Sequence, residues 1–174
     1  MGIFRSTNNG VTWTLLNSPP GQNFFWVNDI VLDPSNQNWI YAVTSNSAPA
    51  NSPTTATGRI FRSMDAGISW QDLGALFSRG LDIKINPTDS DEILVGCSGH
   101  LYRSTNATNA NPTFTEITGG ANQIPNNPGR VEITYCASNI DRVYASCVTG
   151  ERIWRSENGG ATWTERTASG LGNG

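Results

Sequence analysis

Ile3-Phe4-Arg5-Ser6-Thr7-Asn8-Asn9-Gly10-Val11-Thr12-Trp13 is the stretch that decides the fold, because the chain writes it again. It returns as Ile60-Phe61-Arg62-Ser63-Met64-Asp65-Ala66-Gly67-Ile68-Ser69-Trp70 and as Ile153-Trp154-Arg155-Ser156-Glu157-Asn158-Gly159-Gly160-Ala161-Thr162-Trp163. A worn copy, Leu101-Tyr102-Arg103-Ser104-Thr105-Asn106, is lengthened through Ala107 to Pro112 before Thr113 and Phe114. Ser and Asp/Asn side chains accept hydrogen bonds from nearby backbone N–H groups and hold a tight turn. The glycine supplies positive φ at no steric cost. The Trp is expected to bury its ring against the hairpin.

Around each phrase the residues alternate in the period of a strand. The first strand of a unit reads Val27 to Pro34, Gly80 to Pro87 and Val131 to Cys136. The second reads Trp39 to Val43, Glu92 to Gly96 and Arg142 to Ser146. The third carries the aromatic before Arg-Ser, and the fourth opens at Trp13, Trp70, Phe114 or Trp163. Repeats of roughly 40 to 50 residues, each a four-stranded antiparallel meander, predict an all-β propeller. The expected organisation is a half blade over 1–17, blades over 18–75, 76–120 and 121–170, and a tail at 171–174. About three and a half blades leave open edges, so the chain is expected to be part of a larger propeller or to pair with copies of itself.

The phrase resembles the Asp-box, or BNR repeat, of sialidase-like, sortilin-like and xyloglucan-hydrolase-type proteins, with the pattern Ser-x-Asp-x-Gly-x-Thr-Trp. Its positions here are Ser6, Asn8, Gly10 and Trp13, then Ser63, Asp65, Gly67 and Trp70, then Ser104 and Asn106, and last Ser156, Asn158, Gly160 and Trp163. The resemblance spans essentially the whole chain. It implies a propeller fold and says little of activity, since the box serves unrelated functions.

Composition narrows the rest. Hydrophobic residues make up 37% and charged residues 14%, a globular balance. The net charge of −3 comes with no basic cluster, which argues against nucleic acid as a partner. No apolar run approaches a membrane span. Loops rich in Asn, Ser, Thr and Gly suit an extracellular or cell-surface protein, expected to be bacterial. Cys97, Cys136 and Cys147 form no disulfide framework and read as small buried hydrophobes, with Cys136 expected opposite Tyr144.

Function is expected on the long connections of the meander, at 17–26, 46–57, 74–79 and 118–130, since loops on a rigid scaffold carry binding sites. Asp29, Asp82 and Glu132 take the same place on successive first strands and are candidates to line a central channel or to accept backbone hydrogen bonds. Arg79 and Arg130, which begin two of those strands, could meet an anionic ligand. Phe24, Phe25 and Trp26 could stack on sugars, anchor a protein, or pack between blades. Catalytic chemistry is thin. His100 is the single histidine, and no cofactor or metal motif is present. Asp89, Asp91 and Glu92 read as an acidic turn rather than a calcium site. The sialidase arginine triad is missing, because Arg5, Arg62, Arg103 and Arg155 belong to the turns. The reading is a non-enzymatic binding or structural module for a protein or glycan ligand. The alternative is a fragment of a xyloglucan-hydrolase-like glycoside hydrolase using a carboxylate pair, with Asp29 and Asp82 as weak candidates.

Overall fold

The structure is a computed structural model that describes residues 2–19, 24, 26–45, 58–76 and 78–167. It is all-β and divides into two compact units, Met1–Gly80 and Leu81–Gly174. In the first unit β1 (Phe4–Arg5) and β2 (Thr14–Leu15) form a two-stranded hairpin. It is followed by an antiparallel sheet of β3 (Val27–Leu32), β4 (Ile40–Thr44), β5 (Arg59–Ser63) and β6 (Gln71–Ala75), in sequence order. In the second unit β7 (Gly80–Asn86, entering from the unit boundary), β8 (Asp89–Cys97), β9 (Leu101–Thr105) and β10 (Thr115–Glu116) make one meander. A second meander is built from β11 (Val131–Cys136), β12 (Asn139–Cys147), β13 (Arg152–Ser156) and β14 (Thr164–Glu165). These four-stranded meanders are blades of the propeller type that the repeat predicts.

The turn phrase folds by the mechanism its residues dictate. Ser63 Oγ accepts the N–H groups of Asp65 (3.3 Å) and Gly67 (2.8 Å), and Asp65 Oδ1 accepts that of Ser69 (2.8 Å). The Ser6 and Ser156 turns repeat these bonds, with Asn8 and Asn158 in place of the aspartate. Two successive residues are left-handed: Ala66 and Gly67 at φ 59° and 87°, Gly159 and Gly160 at 63° and 86°. The worn copy keeps the closing bond despite its longer turn, since Asn106 Oδ1 still accepts the Thr113 N–H at 2.9 Å. Each turn is tied to the other hairpin of its own sheet. The N–H groups of Ala66, Ala107 and Gly159 donate to the carbonyls of Asn38, Asp91 and Asp141. The short turns of a blade therefore lie together at one end, and the described connection at 118–130 runs to the other.

Sheets pack through aromatic and aliphatic residues that alternate with polar ones. In the first unit Phe24 meets Phe61 and Trp70 edge-on, at 5.4 and 5.0 Å between ring centres. In the second, Leu94 and Leu101 of one sheet share a cluster with Val131, Ile133, Trp154 and Trp163 of the next. The two sheets approach so closely at Gly96 that a Cβ there would lie 2.2 Å from the Val131 carbonyl oxygen.

Three expectations need correction. Trp70 and Trp163 bury their rings, but Trp13 is 62% exposed, because nothing among the described residues packs over that face of the β1–β2 hairpin. Cys136 pairs with Asn139 rather than Tyr144, because the β11–β12 turn is only Ala137-Ser138 and a bulge follows Tyr135. Cys136 is also only half-buried, unlike Cys97 and Cys147.

Replacing Gly96 by Ala should cost about 2–4 kcal/mol in denaturant unfolding, since the obstacle is backbone and cannot rotate away. A milder response, under roughly 1 kcal/mol, would mean the sheets sit farther apart. The Asp65 carboxyl is held below the usual aspartate range by the Ser69 hydroxyl and N–H, opposed by some desolvation. A depressed folded value contributes stability that is present above about pH 4 and lost as the pH falls through that value. Asp65→Asn should therefore flatten the acid limb of the stability–pH curve between about pH 4 and 2 while leaving neutral pH little changed.

Candidate functional site

The fold places the expected site residues in different surroundings. Phe24 is core, 4% exposed, and cannot meet a ligand in this fold; Phe25 lies outside the described residues, as does the loop at 46–57. Trp26 is exposed, with φ 58°, and its carbonyl accepts the Ser45 N–H. Arg79 is exposed as well. Asp29 is half-buried and its Oδ1 accepts the Ile30 N–H at 2.9 Å.

Asp82 is 3% exposed. One of its oxygens takes an ion pair from Lys84, and the other accepts the Ile133 N–H of the neighbouring sheet at 2.6 Å. A carboxylate so engaged fastens one blade to the next and presents no free oxygen for proton transfer. Glu132 holds the corresponding place on β11 but is more exposed and pairs with Arg130. The expected anion-meeting Arg130 is thus matched by its own neighbour. Asp89, Asp91 and Glu92 are likewise occupied. Asp89 accepts the Asp91 N–H, Asp91 accepts the Thr108 N–H and hydroxyl, and Glu92 binds Asn86 and Arg103. Among the described residues no cluster of His, Cys, Asp and Glu could hold a metal ion.

A hollow that the sequence reading did not single out lies at the long-connection end of the last blade. It encloses about 190 Å3 and is bounded by Pro125 to Pro128, Thr149, Arg152 and Trp154. The loop that forms one wall is pinned from below. Ile124 is fully buried, Asn122 accepts the Trp163 N–H, Gln123 Nε2 donates to the Ala161 carbonyl, and Thr149 N–H bonds Pro128. Asn127 at φ 55° turns the chain over the hollow. Arg152 stands at the rim beside Glu165, 3.4 Å away. The buried Trp154 Nε1 has no hydrogen-bond partner among the described residues. The sequence signal was present but split. The wall at 118–130 is one of the long connections legible in the sequence, whereas Thr149-Gly150 belongs to the β12–β13 turn, and only folding brings them together.

Against this geometry, comparison with known proteins yields fold neighbours alone. No family model matches the chain, and no curated protein does. Among solved structures it resembles an ancestral GH74 enzyme (TM-score 0.72, 17% identity, covering 97% of this chain and 21% of that one). It also resembles the GH74 xyloglucanase from Xanthomonas campestris (0.71, 17%, 98% and 27%). YCF48 bound to D1 peptide is similar at TM-score 0.56 and 12% identity, over 87% of this chain and 42% of that one. The fold is that of a β-propeller. The chain spans about a quarter of the length of the GH74 enzymes it matches.

The three thiols should separate sharply in reactivity. Burial pushes Cys97 up to about 12 and Cys147 up to about 11, whereas the Ser138 hydroxyl beside Cys136 lowers that thiol. Since the thiolate is the nucleophile, iodoacetamide at pH 8 should label Cys136 in the folded chain and the other two only after denaturation. Peptide mapping of the labelled protein checks this.

Proposed function

We propose that this chain is a non-enzymatic binding module of a secreted or cell-surface protein, recognising a glycan or a protein segment at the long-connection end of its blades. On this reading the four turn phrases are Asp-boxes, structural elements remote from the ligand. The observation that carries the proposal is the preformed hollow over Trp154. An indole, the Asn126 and Asn127 amides, a Thr hydroxyl and a guanidinium surround it, the mixture that suits sugar hydroxyls or peptide carbonyls. Propellers of this fold include a xyloglucanase and a protein with a bound peptide, which makes both ligand classes reasonable for this scaffold.

A second reading, a fragment of a glycoside hydrolase, draws on the likeness to GH74 enzymes. Inverting hydrolysis needs two carboxyls roughly 6.5–9.5 Å apart with one free to give a proton. The burial and pairing of Asp82 weigh against that residue serving so, which leaves Asp29 as the candidate. Both readings can be separated in one experiment on the 174-residue chain. A xyloglucan oligosaccharide mixture, and in parallel an unbiased peptide library, would be titrated while the Trp154 indole N–H resonance is followed. The binding reading expects that resonance to move with one probe, no new reducing ends, and affinity weakened about tenfold by Asn127→Ala or Arg152→Ala. Release of reducing ends abolished by Asp29→Ala would establish the hydrolase reading instead. A resonance indifferent to both probes would sink the hollow as a site.

A further inference from the structure

The chemistry of the hollow over Trp154 narrows what it can hold. All of its lining falls within residues 125–154, so its shape is set by the last blade and the loop that enters it. At about 190 Å3 it is smaller than the roughly 300–1,000 Å3 that drug-sized ligands occupy. Pro125 to Pro128 bound it on one side and the β12–β13 turn on the other. That is room for one sugar ring rather than for an extended peptide.

Arg152 and Trp154 stand two residues apart on β13, so their side chains share one face of the strand. Trp154 is buried at the floor, and Arg152 is exposed at the rim. The turn is shaped for the guanidinium. Gly150 is left-handed at φ 76°, and a Cβ there would fall 2.9 Å from Arg152 Nε. The space that glycine leaves lets the arginine lie back over the turn, at the mouth of the hollow. Gly129 makes similar room for Thr149, whose Oγ1 would lie 2.8 Å from a Cβ at that position.

Arg152 carries the single formal charge among the lining side chains. Its pair with Glu165 spans 3.4 Å, against about 2.7–2.9 Å for a good charge-assisted bond, and both side chains are more than a third exposed. Such a contact is worth little and yields to a better-placed carboxylate, to which a guanidinium offers two parallel N–H bonds. The neutral donors and acceptors of Asn126, Asn127 and Thr149 suit hydroxyls, and the indole suits the apolar face of a ring.

We infer that the hollow takes a hexuronic acid residue of an acidic polysaccharide. The carboxylate pairs with Arg152 in place of Glu165, and the ring lies over Trp154. The inference rests on the reading of the hollow as a glycan site and adds the charge of the sugar to it.

The methyl glycosides of galacturonic acid and galactose test this, since they differ only in a carboxylate or a hydroxymethyl group at C6. Each is titrated at pH 7 into the 174-residue chain at constant ionic strength while the Trp154 indole N–H resonance is followed, with sodium acetate as the control anion. The uronide should bind at least about tenfold more tightly than the galactoside, and acetate should leave the resonance in place. Added salt should weaken the uronide selectively. Arg152→Gln should bring the uronide down to the galactoside level, whereas Glu165→Gln, which removes the competing carboxylate, should tighten it about threefold, both with unchanged circular dichroism. A galactoside that binds as well as the uronide overturns the inference and leaves the hollow a site for neutral sugars. Acetate that moves the resonance as the uronide does overturns it too, as an exposed cation that takes any anion. A resonance indifferent to both glycosides overturns it as well. If xyloglucan oligosaccharides or peptides still move that resonance, the hollow survives as a site of another kind, and if they do not, the binding reading falls with it.

Discussion

The residue before the last glycine of the turn phrase, Ala66 in one copy and Gly159 in another, is the constraint on which the remaining architecture depends. At Ala66 and Gly159 its N–H is fixed to the other hairpin of the same sheet and its carbonyl to an arginine of the preceding hairpin. Both groups would be costly to bury unpaired. Pairing them requires the backbone to be left-handed at two successive residues, and so requires the Ser, the Asp or Asn, and the glycine that hold it there. One short turn thereby sets the hairpin, the neighbouring hairpin and the approach of the adjacent sheet.

That economy explains how carboxylates are distributed. Asp82, Asp91 and Glu92 are acidic residues consumed in joining strands and sheets. Asp82 spends one oxygen on the Ile133 N–H of the adjacent sheet, whereas its counterpart Glu132 pairs with Arg130 of its own strand entry. The same contrast separates Arg103 from Arg155.

The other end of the blades is governed by a different balance. The connection at 118–130 carries no repeated phrase, and its conformation comes from anchoring. Ile124, Asn122 and Gln123 root the 118–130 loop in the core and leave Asn126 and Asn127 to roof a hollow. Preorganisation of this kind lowers the ordering cost of binding a small polar ligand.

How much was legible beforehand follows from range. Strand order, the meander and the turn bonds are local, written within a dozen residues of Ser63 or Ser156, and the sequence by itself determined them. Phe24 was ambiguous because burial depends on Phe61 and Trp70, far along the chain. Trp13 was misread because an identical phrase buries its tryptophan only when another sheet covers it. Cys136 was misplaced by the length of a two-residue turn. The hollow over Trp154 and the fastening role of Asp82 were decided only by tertiary structure. Each is a relation between residues on different strands or loops, and whether a side chain is spent or available depends on what packs against it.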